Sequence, residues 1–362
     1  MSDVGFQEVT IATPDDWHVH LRDDTMLRAV VPFTANLFRY ALVMPNLSQP
    51  ITTTASAAAY RERIIEAAGQ DASAEFTPLM ALYLNDSVSI ADLSAGFSDG
   101  VVHAVKYYPA GATTNSEAGG SSLISYGPIL SQIADLGIPL LVHAESTDPS
   151  VDIFDRERVF LENELAPVCE QLPTLKVTVE HVSTTDGVVF VREHSNVTGT
   201  ITPHHLSCER SDILANGLRP DLYCKPVLNS KENRQTLIEA ATSGEPSFFL
   251  GTDSAPHPLS SKRSAVGKAG IFSAPLALPV LAEVFAERGA LDRLEAFTST
   301  NGARYHGFEP SVYRVRLRRL DDRSEVFDEM LRTNDGHEVQ MFGVEAARKW
   351  SLELLQGSRL DA

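Results

Sequence analysis

The chain has 362 residues, 43% of them hydrophobic and 22% charged, with a formal net charge of −18. That length admits one large domain or two ordinary ones, and that composition belongs to a globular fold with a large core. The acidic balance argues against nucleic acid or an anionic membrane surface as partner, and no window reaches the roughly 18 uninterrupted apolar residues that a spanning helix requires.

The N-terminal stretch MSDVGFQEVTIATPDD has no basic segment followed by an apolar one and no arginine, which argues against a secretory signal and a mitochondrial presequence. Residues 6–12 are expected to form an extra strand closing a barrel floor. Eight strand candidates follow: 16–21, 40–45, 77–84, 101–108, 139–145, 176–182, 197–206 and 247–253. Between and after them lie helical candidates at 53–68, 87–98, 127–136, 155–171, 185–193, 231–243 and 275–289. Near-continuous apolar strands separated by helices imply parallel pairing with both faces covered. Eight such units in this length suggest an α/β fold of the (β/α)8 TIM-barrel type. The competing fold is a doubly wound open sheet, but no Gly-x-Gly-x-x-Gly follows the first strand, which removes its dinucleotide-binding version. From about 306 the chain reads as a polar, irregular C-terminal extension of a single barrel domain whose core spans about 15–305. The basic run RVRLRRL (314–320) reads as solvated surface. Cys169, Cys208 and Cys224 form no Cys-x-x-Cys, and an odd, sparse set of thiols fits a reducing cytoplasm.

A TIM barrel keeps its chemistry at the C-terminal ends of its strands. Those ends carry His18 and His20 on the first, Asn46 on the second and Lys106 on the fourth. The fifth carries His143, the sixth His181 and the eighth Asp253. A period of two puts His18 and His20 on one side of their strand, and neutral imidazole with carboxylate suits Zn²⁺. Any one of these histidines alone is more often packed or solvated than a ligand; four of them at three strand ends, with an Asp on the eighth, reverse that weighting. Arg22 shares the parity of the two histidines, and its planar fork suits a carboxylate, although a surface pair with Asp23 or Asp24 would also account for it. His204 and His205, at the end of the seventh strand, are not needed for a metal and are expected to pack there. His103 is out of phase with Lys106 and reads as structural.

The segments DDWHVHLRD, VMPNL, KYYPAGATTN, LLVHAE, EHVST, LYCKPVL and FLGTDSAPH, in this order from residue 15 onward, resemble the monofunctional dihydroorotases of the amidohydrolase superfamily. The resemblance implies a zinc-dependent, reversible hydrolysis of (S)-dihydroorotate to N-carbamoyl-L-aspartate in pyrimidine biosynthesis, by a cytoplasmic homodimer. It implies two Zn²⁺ per subunit, one held by His18, His20 and Asp253 and the other by His143 and His181. Lys106, carboxylated to N6-carboxylysine, would bridge them together with a hydroxide. Asp253 would also be the catalytic proton carrier. Arg22, Asn46 and His257 match positions that grip the substrate carboxylate; Lys225, Ala269 and Gly270 match contacts to its ring; Thr113 and Thr114 match the tip of a loop that closes over it. Three departures stand out: Gly111 replaces an asparagine common in the family, Lys225 replaces a leucine, and VGKAG (266–270) lacks a cysteine. Another cyclic amidohydrolase, such as a dihydropyrimidinase, hydantoinase or allantoinase, is the competing enzyme. A non-catalytic assembly homologue is disfavoured because all six ligand positions are filled.

Overall fold

The first strand, β1 (Glu8–Ala12), stays outside the main sheet, and the next eight build it: β2 (Asp16–Val19), β3 (Tyr40–Val43), β4 (Thr77–Tyr83), β5 (Val102–Tyr107), β6 (Leu140–Val142), β7 (Val177–Val179), β8 (Val197–Ile201) and β9 (Phe248–Leu250). This computed structural model describes residues 7–69, 72–73, 75–320 and 328–355. The eight strands are all parallel and neighbour one another in sequence order. The Asp253 amide donates to the His18 carbonyl at 2.8 Å and the His20 amide to the Ser254 carbonyl at 2.9 Å, joining last strand to first. The sheet is therefore the expected (β/α)8 barrel.

The strand interiors face two ways. Leu42, Ala81, Ala104, Leu141 and Phe249 fill the barrel with Trp17, Met44 and Ala303. Their alternating neighbours, such as Val43, Leu82, Val105, Leu140 and Leu250, pack outward against the helices, which is why these strands read as continuous apolar runs. Trp17 plugs the floor, stacked on His306 at 4.1 Å. A Cβ on Gly302 would lie 2.0 Å from its indole nitrogen, so glycine alone fits there. His103 hydrogen-bonds His306 at 3.0 Å on the same floor, far from the strand ends that matter for chemistry.

Several expectations need correction. The N-terminal strand does not close the floor; β1 pairs antiparallel with β10 (Arg314–Arg319), which pairs with β13 (Trp350–Leu355). A short hairpin joins β11 (Met330–Arg332) to β12 (Glu338–Gln340). The tail is thus not irregular where it is described, although Phe6 and the tail residues 321–327 and 356–362 lie outside the described residues. The run RVRLRRL is β10: Val315 and Leu317 are fully buried, while Arg316 and Arg318 pair with Glu8 on β1. That alternation marks a half-buried strand.

The expected helices appear, Gly127–Leu136 and Thr185–Glu193 to the residue, Thr54–Ala68 and Lys231–Thr242 within one residue. Local chemistry starts them. Thr53 and Ser56 form a capping box, and Thr184 and Ser230 cap theirs through side-chain oxygens. The segment 155–171 is one helical run widened by a π turn at Leu161–Leu165. Of the helices that were not expected, the longest is Asp24–Leu37, which buries Leu27, Val30, Val31, Thr34 and Ala35 despite Pro32 in its interior.

Candidate metal centre and substrate site

The barrel strands are shorter than the apolar runs suggest, and that difference builds the site. Only His18 and Lys106 lie within strands; His20, His143, His181 and Asp253 fall just past the last ladder pair. There the backbone is free to turn, and His181 and Asp253 both sit at φ 43°, in the left-handed region that side-chain-bearing residues seldom adopt. Arg22 does not follow strand parity either. It lies beyond β2 at φ 60° and reaches the same mouth through that turn.

His18 Nε2, His20 Nε2 and Asp253 Oδ1 lie within 3.2–3.4 Å of one another, one donor atom each, clustered as a metal site requires. His143 Nδ1 and His181 Nε2 are 3.0 Å apart, and the His18 and His181 rings are 5.1 Å apart, so the two groups adjoin. Burial, reinforced by Lys106, holds His18 well below the usual imidazole range; burial likewise lowers His20 and His181. These rings are therefore neutral, with lone pairs free for a cation. Burial also raises the Asp253 carboxyl, but its hydrogen bond with His20 and the two histidine rings outweigh that and leave it lowered. Lys106 lies beneath, fully buried, with no hydrogen-bond partner for Nζ among the described residues. Burial pushes its pKa down to about 8, so a sizeable neutral fraction exists near neutral pH. A solvent-free lysine with an orphaned amine, beside two histidine groups, fits a carbamate bridge and does not fit a surface cation.

Behind the candidate ligands stand carboxylates that the sequence reading passed over. Glu180 Oε2 meets His18 Nδ1 at 2.6 Å and accepts from Thr200 at 2.7 Å. Glu145 Oε2 meets His143 Nε2 at 2.7 Å. Such partners fix the ring tautomer and leave the other nitrogen for the metal. Both had a signal, since each lies one or two residues from a histidine ligand. Asp16 serves the closing strand, accepting from the Thr252 amide and hydroxyl at 2.8 and 2.6 Å.

Around the cluster lie Arg22, Asn46, Thr113, Thr114, Lys225, Ala269 and Gly270, all lining one cavity with the metal-site histidines and Asp253. Tyr108 and Ala255 line it too, and neither was anticipated; Tyr108 has the parity of Lys106 along β5. His257 is not in the lining. Its Nε2 instead takes a hydrogen from Arg22 Nη2 at 2.9 Å, and burial followed by Arg22 itself pushes its pKa down to about 2. A neutral His257 thus orients the guanidinium, whose Nε is held by the Pro256 carbonyl at 3.0 Å. Asn46 is spoken for on both sides, its Oδ1 by His20 Nδ1 at 2.8 Å and its Nδ2 by the Thr114 carbonyl at 2.9 Å.

His204 and His205 do not end a strand; they lie on a short helical turn, Pro203–Ser207, with Cys224 nearby. His205 spends both ring nitrogens on Thr202 Oγ1 and the Pro226 carbonyl. Burial pushes the Cys224 thiol far up, so it rests as a neutral thiol. A larger groove of about 630 Å³ between helices Lys231–Thr242 and Ala277–Glu287 has no histidine in its lining.

Residues 11–314 match the model of the amidohydrolase family. A dihydroorotase of Synechococcus sp. is 52% identical over 315 residues, covering 87% of this chain and 90% of that relative. Among solved structures, a dihydroorotase from Campylobacter jejuni superposes with a TM-score of 0.85 at 32% identity, over 96% of this chain and 98% of that one. The Saccharomyces cerevisiae dihydroorotase in complex with 5-fluoroorotic acid gives 0.86 at 27% identity, over 96% and 99%.

Proposed function

The chain belongs to the amidohydrolase family, among its dihydroorotases, and on that premise we propose that it interconverts (S)-dihydroorotate and N-carbamoyl-L-aspartate in pyrimidine biosynthesis. The observation that carries this is the convergence of a half-buried guanidinium, Arg22, with neutral histidines and an ionised aspartate in one mouth. The cluster suits a metal that acts on an amide, and Arg22 selects a cyclic amide bearing a carboxylate.

His18, His20 and Asp253 would hold one Zn²⁺, His143 and His181 the second, with carboxylated Lys106 between them. Metals so bound supply Lewis acidity and acidify water from 15.7 to roughly 7. The chain's own groups do the rest. Arg22, steadied by His257, binds the substrate carboxylate through its paired N–H groups, and the Asn46 amide stands beside it. Ala269, Gly270 and the Lys225 backbone border the ring, and Thr113 and Thr114 cover it. Asp253 takes the proton of the attacking water as its oxygen joins the ring carbonyl carbon. It returns that proton to the ring nitrogen as the C–N bond breaks, giving a ureido group and a carboxylic acid, which ionises to the carboxylate and releases one proton to solvent. Run backward, the carboxylate takes one proton from solvent and Asp253 passes it a second from the ureido nitrogen, so that the oxygen leaves as water; the one carrier thus serves both directions.

The same reading takes the chain as one amidohydrolase domain, with a barrel core of about 15–305 and an extension of about 306–362; the bonds of Lys349 and Trp350 to Glu283 on the helix Ala277–Glu287 support counting the extension with the barrel. It also takes the enzyme as a cytoplasmic homodimer. The free thiols of Cys169, Cys208 and Cys224 support the compartment, and among the described residues no helix is long and apolar enough to cross a membrane.

The test is to follow both directions of the reaction with purified protein, before and after chelation, while counting metals per chain. Chelator-sensitive turnover with about two metals is expected. Two metals with no turnover of either compound would move the assignment to another cyclic amide, and neither metal nor turnover would overturn it. Arg22→Met is expected to raise KM for dihydroorotate by roughly 10- to 100-fold, the worth of a charged hydrogen bond, with metal content unchanged. An unchanged KM would remove Arg22 from the substrate site.

A further inference from the structure

The cavity enclosed by the site residues measures about 20 Å³, room for one water molecule. A six-membered ring with its carboxylate does not fit, so whatever covers the mouth must move for substrate to enter. The cover is the loop 109–116, which presents Thr113 and Thr114 to the cavity. It is a self-contained unit. Gly111 donates to the Ser116 carbonyl, and the Thr113 amide and carbonyl both bond the Ser116 hydroxyl, at 2.8 and 2.7 Å. Such a unit swings as a body, and the bonds that matter for opening are those to the rest of the chain.

Three tie its tip to distant parts of the chain among the described residues, on two sides, while at its base the Ala110 amide donates to the Gly120 carbonyl and the Gly119 amide to the Ser116 carbonyl. On one side Asn46 Nδ2 donates to the Thr114 carbonyl at 2.9 Å and Asn115 Nδ2 to the Asn46 carbonyl at 3.0 Å. On the other, Lys225 Nζ crosses from the segment after β8 and donates to the Ala112 carbonyl at 2.6 Å. The Lys225 bond is the charged one of the three, and it grips the residue next to Gly111. Gly111 sits at φ 77°, where glycine is at ease but where it also gains the most freedom once released. An ammonium gripping the adjacent carbonyl opposes that gain.

We propose that Lys225 is a positioning residue, a latch whose ammonium holds the Ala112 carbonyl and keeps the 109–116 loop closed, so that Thr113 and Thr114 stand over the substrate. The proposal deepens the functional reading above and rests on it for the role of the two threonines. The latch itself is a property of the closed loop, measurable without substrate.

The experiment is hydrogen–deuterium exchange on the metal-loaded, full-length protein, comparing the wild type with Lys225→Leu and Lys225→Arg. Lys225→Leu is expected to speed exchange of the 110–116 amides by at least about tenfold, as loss of a charged hydrogen bond implies. Lys225→Arg should stay near wild type, and the helix Gly127–Leu136 should be unaffected in both. Wild-type exchange across the loop in Lys225→Leu overturns the latch. Should that variant exchange faster everywhere, Lys225→Gln is read instead: faster exchange confined to the loop supports the latch, and wild-type exchange overturns it. Turnover is scored separately. A protein inactive on both compounds defeats the functional reading while the exchange result still decides the latch.

Discussion

Replacing Asp253 with alanine is expected to lower turnover in both directions by about four orders of magnitude, the upper end of what a positioned proton carrier contributes, with the fold intact. The size follows from the two duties that meet in one carboxylate. Its Oδ1 lies 3.2 Å from His20 Nε2 and 3.4 Å from His18 Nε2, which places it in the first candidate ligand group, and it lines the cavity where the ring nitrogen would sit. Because it is buried and held ionised, it is an acceptor at neutral pH without outside help. The fold survives because the strand closure uses the Asp253 backbone amide, not its side chain. Steady-state rates, metal content and the melting temperature of the variant check this together. Activity near wild type with normal metal content would remove Asp253 from the reaction.

Lys106→Ala is expected to remove metal and activity at once. An outer partner of a metal ligand is typically worth 10- to 100-fold in affinity, so a bridging group should cost more than about 100-fold. Small carboxylates such as acetate or propionate, added to the variant, are expected to restore part of both, since they refill the space with two oxygens. The barrel should tolerate the truncation, because Nζ bonds nothing among the described residues and what is lost is one buried chain of methylenes. Metal analysis with and without added carboxylate reads the outcome. A variant that keeps two metals and its activity would return Lys106 to a passive buried cation.

The architecture was legible because β/α alternation is a local pattern. Eight apolar runs separated by periodic segments specify parallel strands, and capped starts such as Thr53 and Thr184 place helices within a residue or so. The helix Asp24–Leu37 escaped because Pro32 interrupts it, although Leu27, Val30, Val31 and Thr34 carry the spacing of a buried face. The tail misled for the opposite reason: its arginines look like surface, and only the pairing of β10 between β1 and β13 reveals that Val315 and Leu317 are core. A strand partner some three hundred residues away leaves no local trace.

At the site the division is similar. Residue identity at the strand ends was enough to single out His18, His20, Lys106, His143, His181 and Asp253, since chemistry needs those side chains and a barrel places its chemistry there. By itself, then, the sequence determined the barrel and the family resemblance, and it singled out the candidate ligands. Only the tertiary structure decided how the groups are held: Glu180 and Glu145 behind the rings, His257 on Arg22 and not on the cavity, Asn46 shared between His20 and the covering loop, and Lys225 on the Ala112 carbonyl. Those are contacts between segments far apart in the chain, set by closure of the barrel and by left-handed turns past the strand ends. Hydrogen-bond geometry of that kind is a property of packed neighbours and is not written in any single stretch of residues.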